Sequence, residues 1–480
     1  MLQNSVVRLI GKAKPPRLGR MVSHIIIVIF VSVSLLVGQM VVRDPGVRGG
    51  TVDAGQPLAS VTQTQGATDF FNNGLNRFLS VDVVQGGANN GLGPRFNANQ
   101  CAGCHAQPNT GGSSPSINAF PFLGPNPQMQ FASASNALPS FITPDGPVRE
   151  ARFKYFLNSE GSPSNTPDGG VHDLFVITGR ADAGTCAIAQ PEFTHNLALN
   201  NVIFRIPTPL FGAGQIENIS DETILANMNA NTMAKYHLGI SGHPNRDPND
   251  GAIARFGWKA QNKSLEMFSG EAYNVEMGVT NELFQNERSS PDEALQGGLP
   301  ANCRINPTPE DGTNMTASPD YAVPSDIVQF AMFMRLLAPP TPSTTNPGGA
   351  QSISDGSRLF SDIGCALCHT SALATAPSYY TPGLGPGTAS LFSDLLVHHM
   401  GTNLSDGVSQ GSAGPDEFRS APLWGLGQRI FFLHDGRTTD LLDAIGEHAS
   451  PGSEANAVIR NFKNLRPQRQ QDLLNFLRSL

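Results

Sequence analysis

The chain has 480 residues, of which only 15 % are charged, against roughly 25 % in an average soluble domain. Its 50 Gly and 37 Pro point to many turns and long loops. This balance excludes a coiled coil and a disordered chain, and a net charge of −8 removes the electrostatic basis for nucleic-acid binding.

The first residues carry Arg8, Lys12, Lys14, Arg17 and Arg20 and no acid. An apolar run follows from Ile25 to Val37 and extends weakly to Val42. A basic flank before an apolar core predicts an export signal over 1–42, either cleaved or kept as a short membrane anchor. Setting its five basic residues aside takes the charge from −8 to −13. The exported body is then acidic and suits a basic soluble partner. Residues 43–68 are rich in Gly, Gln and Thr and read as a linker. From there to residue 345 the chain is turn-rich with short apolar segments. Ser325–Leu337 has a helical apolar period, with Ser325 as the expected cap and Pro339-Pro340 as the stop. Thr341–Gly349 is the expected domain boundary. Beyond it, helical patterns cover Ser354–Ile363, Thr439–His448, Ser453–Asn464 and Pro467–Leu480. Strand alternation is rare, so the expected fold is mainly α with long loops. It would have two domains, residues 69–345 and 346–480.

The cysteines carry the clearest chemical signal. Four of the six lie in two copies of one pattern, Cys101-Ala-Gly-Cys104-His105 and Cys365-Ala-Leu-Cys368-His369. Cys-x-x-Cys-His is the attachment motif for c-type haem. Two thiols add to the two vinyl groups on one porphyrin edge, and the adjacent His gives iron its proximal nitrogen. A zinc site would want further closely paired Cys or His, and a redox Cys-x-x-Cys has no need of the His. Two covalent haems, held through His105 and His369, are therefore expected. The remaining Cys186 and Cys303 are candidates for a disulfide in an oxidising compartment, the alternative being two inert buried thiols.

Further blocks carry a family resemblance. Phe256-Gly-Trp258-Lys-Ala-Gln261, Ser264-Leu-Glu266 and Glu276-Met-Gly278 are similar to the W-D-G-R…T-L-E…E-M run of bacterial di-haem cytochrome c peroxidases and their MauG relatives. Phe418-Arg-Ser-Ala-Pro-Leu-Trp-Gly425 resembles their F-K-T-P-S-L-R-N, and Phe432-Leu-His434-Asp-Gly-Arg437 their Y-F-H-D-G-S. Leu92–Asn97, Glu276–Asn281 and Ala421–Gly427 resemble the di-haem oxidoreductase group of that superfamily. The resemblance runs in scattered blocks from Phe70 to Leu480, and implies two cytochrome c-like haem domains, the N-terminal one enlarged by an insertion.

It implies roles for particular residues. Trp258 matches a tryptophan lying between the two haems, an electron relay; the bland alternative is a core Trp. Glu276 matches the distal carboxylate that moves a proton during O–O cleavage; the bland alternative is a solvated Glu. His448, fourteen residues past His434, stands where the peroxidases carry Met and MauG carries Tyr. It implies a bis-His C-terminal haem, with Met400 as the rival ligand. Departures are Lys259-Ala260-Gln261 for Asp-Gly-Arg, and Phe268 for a distal Gln.

The expected function is an exported, periplasmic di-haem oxidoreductase that reduces peroxide or a related small oxidant at the N-terminal haem. Its electrons come from a soluble electron-transfer protein. The alternatives are a non-catalytic electron-transfer cytochrome and a MauG-like protein-modifying oxidase. A calcium ion is left open, and no pair of cysteines remains for thiol chemistry.

Overall fold

A computed structural model describes residues 41–49, 53–64, 66–87, 89–115, 126–133, 135–306, 310, 324–378, 381 and 383–480. Residues 1–40 of the expected export segment lie outside the described residues. Among those described, no helix is long and apolar enough to cross a membrane.

The first half is organised by three helices. Ala67–Leu79 turns Phe71 and Phe78 inward, where both meet Phe333 of the helix Asp326–Leu336. Gly74 permits this approach, since a Cβ there would sit 2.4 Å from the carbonyl oxygen of Gln329. Leu265–Met277 packs on the same group. Ser264 caps it by accepting a hydrogen bond from the Met267 amide at 3.2 Å. Gly278, at φ 71°, ends it. Beside the helices lies a three-stranded antiparallel sheet, with Glu150–Phe153 between Val171–His172 and Val202–Arg205. Cys186 and Cys303, 117 residues apart and both buried, are joined in a disulfide.

In the second half, Gly349–Asp362 and Pro467–Ser479 cross closely. A Cβ on Gly356 would come within 2.0 Å of the Asp472 carbonyl oxygen. Leu441–Glu447 begins at Asp440, whose carboxylate accepts from the Leu442 amide at 2.7 Å. Asn456–Lys463 follows. The strands Val397–His399 and Glu417–Arg419 pair antiparallel, with His398 opposite Phe418.

Residues Arg43–Leu480 form one compact unit. The stretch after Arg43 lies against both halves. The Leu58 amide donates to Leu336 O at 2.8 Å, and the Ala338 amide to Gln56 O at 2.9 Å. Asp44 pairs with the buried Arg478 (Nε–Oδ1 2.7 Å).

The reading as mainly α needs correction, because helix shares the chain with five small antiparallel sheets among the described residues. Their strands are two to five residues long, too short for alternation to register. Ser325 stands at its helix start, but its hydroxyl makes no capping bond and is buried without a partner. Gly349–Asp362 starts ahead of the expected Ser354, because Gly348 turns the chain at φ 79° and the helix begins at once.

Replacing Cys186 and Cys303 by Ala frees a 117-residue loop in the unfolded chain. The expected loss is about 2–5 kcal/mol of stability, read as a lower urea midpoint.

Candidate functional site

Each Cys-x-x-Cys-His opens into its own cavity. In the first half, Cys101–Cys104 forms one helical turn, and His105 leaves it. Both thiols are free, and burial pushes them up, Cys101 to about 12. Burial also pulls His105 down to about 4, so its ring is neutral. His105 Nδ1 donates to Gly112 O at 3.0 Å, with the Thr208 carbonyl also near the ring. That bond fixes the tautomer and leaves the Nε2 lone pair available to a metal. The cavity encloses 1170 Å³, its open mouth included, between Phe78, Leu210, Met277 and Phe330.

The second cavity, 1410 Å³ on the same measure, holds Cys365, Cys368 and His369 among apolar walls. His369 is pulled down to about 4 by burial and then by the neighbouring His448. Its Nδ1 donates to Phe392 O at 3.0 Å. His448 lines the same cavity, and its Nδ1 donates to Ala444 O at 2.7 Å. Two neutral imidazoles with pinned Nδ1–H groups thus share one space. Met400 lines it as well, so both candidate ligands are brought in. His398 is taken, with Nε2 3.0 Å from Asp394 and Nδ1 2.8 Å from Glu454. His434 stacks on Phe418 at 4.3 Å, edge-on to Trp258 at 6.4 Å.

Trp258 alone among the described residues lines both cavities. Its indole N–H donates to Ile206 O at 2.9 Å, and its carbonyl accepts from the Arg419 amide at 2.9 Å. Lys259, the departure beside it, is fully buried. Its ammonium donates to Gly414 O and Glu417 O, both at 2.8 Å, and pairs with Asp406 at 3.2 Å. Asp406 also pairs with Arg205 at 2.7 Å. Gln261 and Phe268 line the first cavity.

Glu276 lines the first cavity with Trp258. Burial, and then the Glu150 carboxylate hydrogen-bonded to it, holds Glu276 well above the usual carboxylate range. Against its own burial, Glu150 is held low by Arg152, 2.7 Å away, and by Arg205. Glu150 was not a sequence candidate. Its signal was three charged residues within Arg149–Arg152 of a chain poor in charge. Among the described residues, no group of three or more His, Cys, Asp or Glu is arranged to hold a metal ion.

Two like cavities that meet at one tryptophan define a two-centre protein. Paired thiols, a pinned neutral imidazole and broad apolar walls are what a haem needs, and the residues present fit one in each cavity. The family model described as "Di-haem oxidoreductase, putative peroxidase" matches residues 150–480. The chain belongs to this family, which makes it a di-haem oxidoreductase; the motif at Cys101–His105 lies before the matched stretch.

Among solved structures, the hydrazine synthase of Kuenenia stuttgartiensis is 17 % identical. That match covers 57 % of this chain and 88 % of the other, at TM-score 0.23. A MauG-like protein associated with microbial copper homeostasis is 14 % identical, covering 57 % and 90 %, at TM-score 0.27. At such scores neither adds to the argument. No curated protein matches the chain.

The raised Glu276 has a consequence for stability. Above about pH 4.3 the unfolded carboxyl has lost its proton while the folded one keeps it, so stability falls as pH rises from there toward the folded value. Glu276→Gln removes that decline. Its thermal midpoint relative to the parent is therefore expected to be higher at pH 8 than at pH 5; an equal difference at both pH values would refute the assignment.

Proposed function

We propose that the chain is an exported, periplasmic c-type di-haem oxidoreductase of peroxidase type. It reduces peroxide or a related small oxidant in the N-terminal cavity with electrons from a soluble electron-transfer protein. The observation that carries this reading is Trp258, the one described side chain that lines both cavities. Haem supplies one-electron redox chemistry and, where an iron face is open, activation of a peroxide bond.

The chain's own residues supply the rest. Cys101 and Cys104, and Cys365 and Cys368, hold the two porphyrins as thioethers. His105 and His369 ligate the irons from within cytochrome c-like domains, 69–345 and 346–480. His448 is the second ligand of the C-terminal centre, favoured over Met400 by its pinned ring. Trp258 stands in the path between the centres.

Reducing peroxide to two waters takes two electrons and two protons. Glu276, kept protonated by burial and by Glu150, is placed to give a proton to the departing oxygen. A bare electron carrier has no use for a half-buried carboxyl pair, which is costly to keep. This favours the enzyme over the electron-transfer alternative. Export is supported by the basic and apolar N-terminal segment, and by a disulfide that suits an oxidising compartment.

One equivalent of peroxide added to the reduced protein should remove two electrons, followed in the visible spectrum. Glu276→Gln should slow this by about 10²–10⁴-fold with two haems per chain retained by mass. No oxidation by peroxide would overturn the enzyme reading. In a redox titration, His448→Met should raise the potential of the C-terminal haem, because Met is the weaker donor; an unchanged potential would remove His448 as ligand.

A further inference from the structure

Arginines buried in this chain meet carboxylates. Arg205 pairs with Asp406, Arg152 with Glu150, Arg95 with Glu293 and Arg478 with Asp44. Two break the pattern. Arg419 and Arg429 are 8 % and 9 % exposed, and among the described residues neither is paired with a carboxylate. Arg419 Nε donates to Gly257 O at 3.1 Å, and Arg429 Nη2 to Pro422 O at 2.9 Å. Arg429 Nε is buried with no hydrogen-bond partner among the described residues. Burial pulls both guanidinium groups down to about 10, Arg419 further through repulsion from Arg429. Two adjacent buried cations without an anion are expensive, and a fold that keeps them leaves room for an anion from outside the chain.

Both arginines line the cavity of Cys365, Cys368 and His369, and both line a smaller cavity beside it that Trp258 also lines. A ligand that fits this cavity spreads a large apolar face against its wall and presents carboxylates at the Trp258 end. A guanidinium fork suits a carboxylate because two N–H groups meet two oxygens. We propose that Arg419 and Arg429 are the carboxylate-binding end of the C-terminal cavity and hold the two propionates of its porphyrin. This rests on the haem reading above and adds an orientation to it. The thiols take one edge of the ring, and the arginines turn the opposite, charged edge toward Trp258. The Arg419 amide is bonded to the Trp258 carbonyl, so the same backbone positions the carboxylate end and the residue between the cavities.

The test uses the full-length haem-loaded protein, with mass spectrometry for haem content and redox titrations from pH 5 to pH 8. In Arg429→Gln, loss of a cation stabilises the oxidised state, so the potential of the C-terminal haem should fall. A propionate without its partner should also titrate within this range, making that potential more dependent on pH than in the parent. Arg429→Lys, which keeps the charge, should recover most of the parent profile and serves if the Gln variant does not fold. The N-terminal potential should hold in both. Two retained haems with an unchanged C-terminal potential at every pH would overturn the proposal alone, as would equal shifts at both haems. A parent chain without thioether-bound haem at Cys365 and Cys368 would overturn the functional reading and this proposal with it.

Discussion

The structure turns on a buried ion triad. Arg205, Asp406 and Lys259 have almost no exposed side-chain surface, and each comes from a different part of the chain. Arg205 ends a strand of the first-half sheet, Asp406 sits in a loop of the second half, and Lys259 follows the tryptophan between the cavities. Removing one member would leave an uncompensated charge in a dry interior, at a cost of about 3–5 kcal/mol. The two halves are therefore held at one register, and Trp258 is held with them. Lys259 adds carbonyl acceptors from the segment that leads into Glu417–Arg419 and lies 4.1 Å from the Phe418 ring centre. From Phe418 the packing passes directly to His434 in the second cavity.

This gives the low charge content a different meaning. A chain with few charged residues places many of the ones it has inside. Beside the first cavity the cations have carboxylate partners within the chain, Arg152 at Glu150 and both Arg205 and Lys259 at Asp406, with Glu276 neutral. In the second the His398 ring is held between two carboxylates, while Arg419 and Arg429 have none. Arg152 and Arg205 of the first cavity are thus paired within the protein, while Arg419 and Arg429 of the second are not, so two cavities built on the same motif differ in electrostatic character.

How much of this was legible in the sequence follows from how local each signal is. The two Cys-x-x-Cys-His motifs were legible because their thiols and imidazole lie within five residues. That Trp258 and Glu276 line the first cavity agrees with the family wording, and that His448 lines the second agrees with its register from His434. Helices of the second half were legible from their apolar period. The short strands, the Glu150 partner and the unpaired arginines were not, because each depends on what approaches from a distant segment. Lys259 shows the limit well. As a sequence departure it is a change of charge beside a tryptophan. Its meaning lies in Asp406, Gly414 and Glu417, brought in from the far half.

The Asp44–Arg478 pair joins two stretches of the body that are 434 residues apart in sequence. The helix that carries Arg478 packs on Gly356 and contributes Leu473 and Leu477 to the second cavity. The stretch after Arg43, which also meets the first half at Leu336 and Ala338, is therefore a strap across the body, and a change at Asp44 would be felt at the wall of the second cavity.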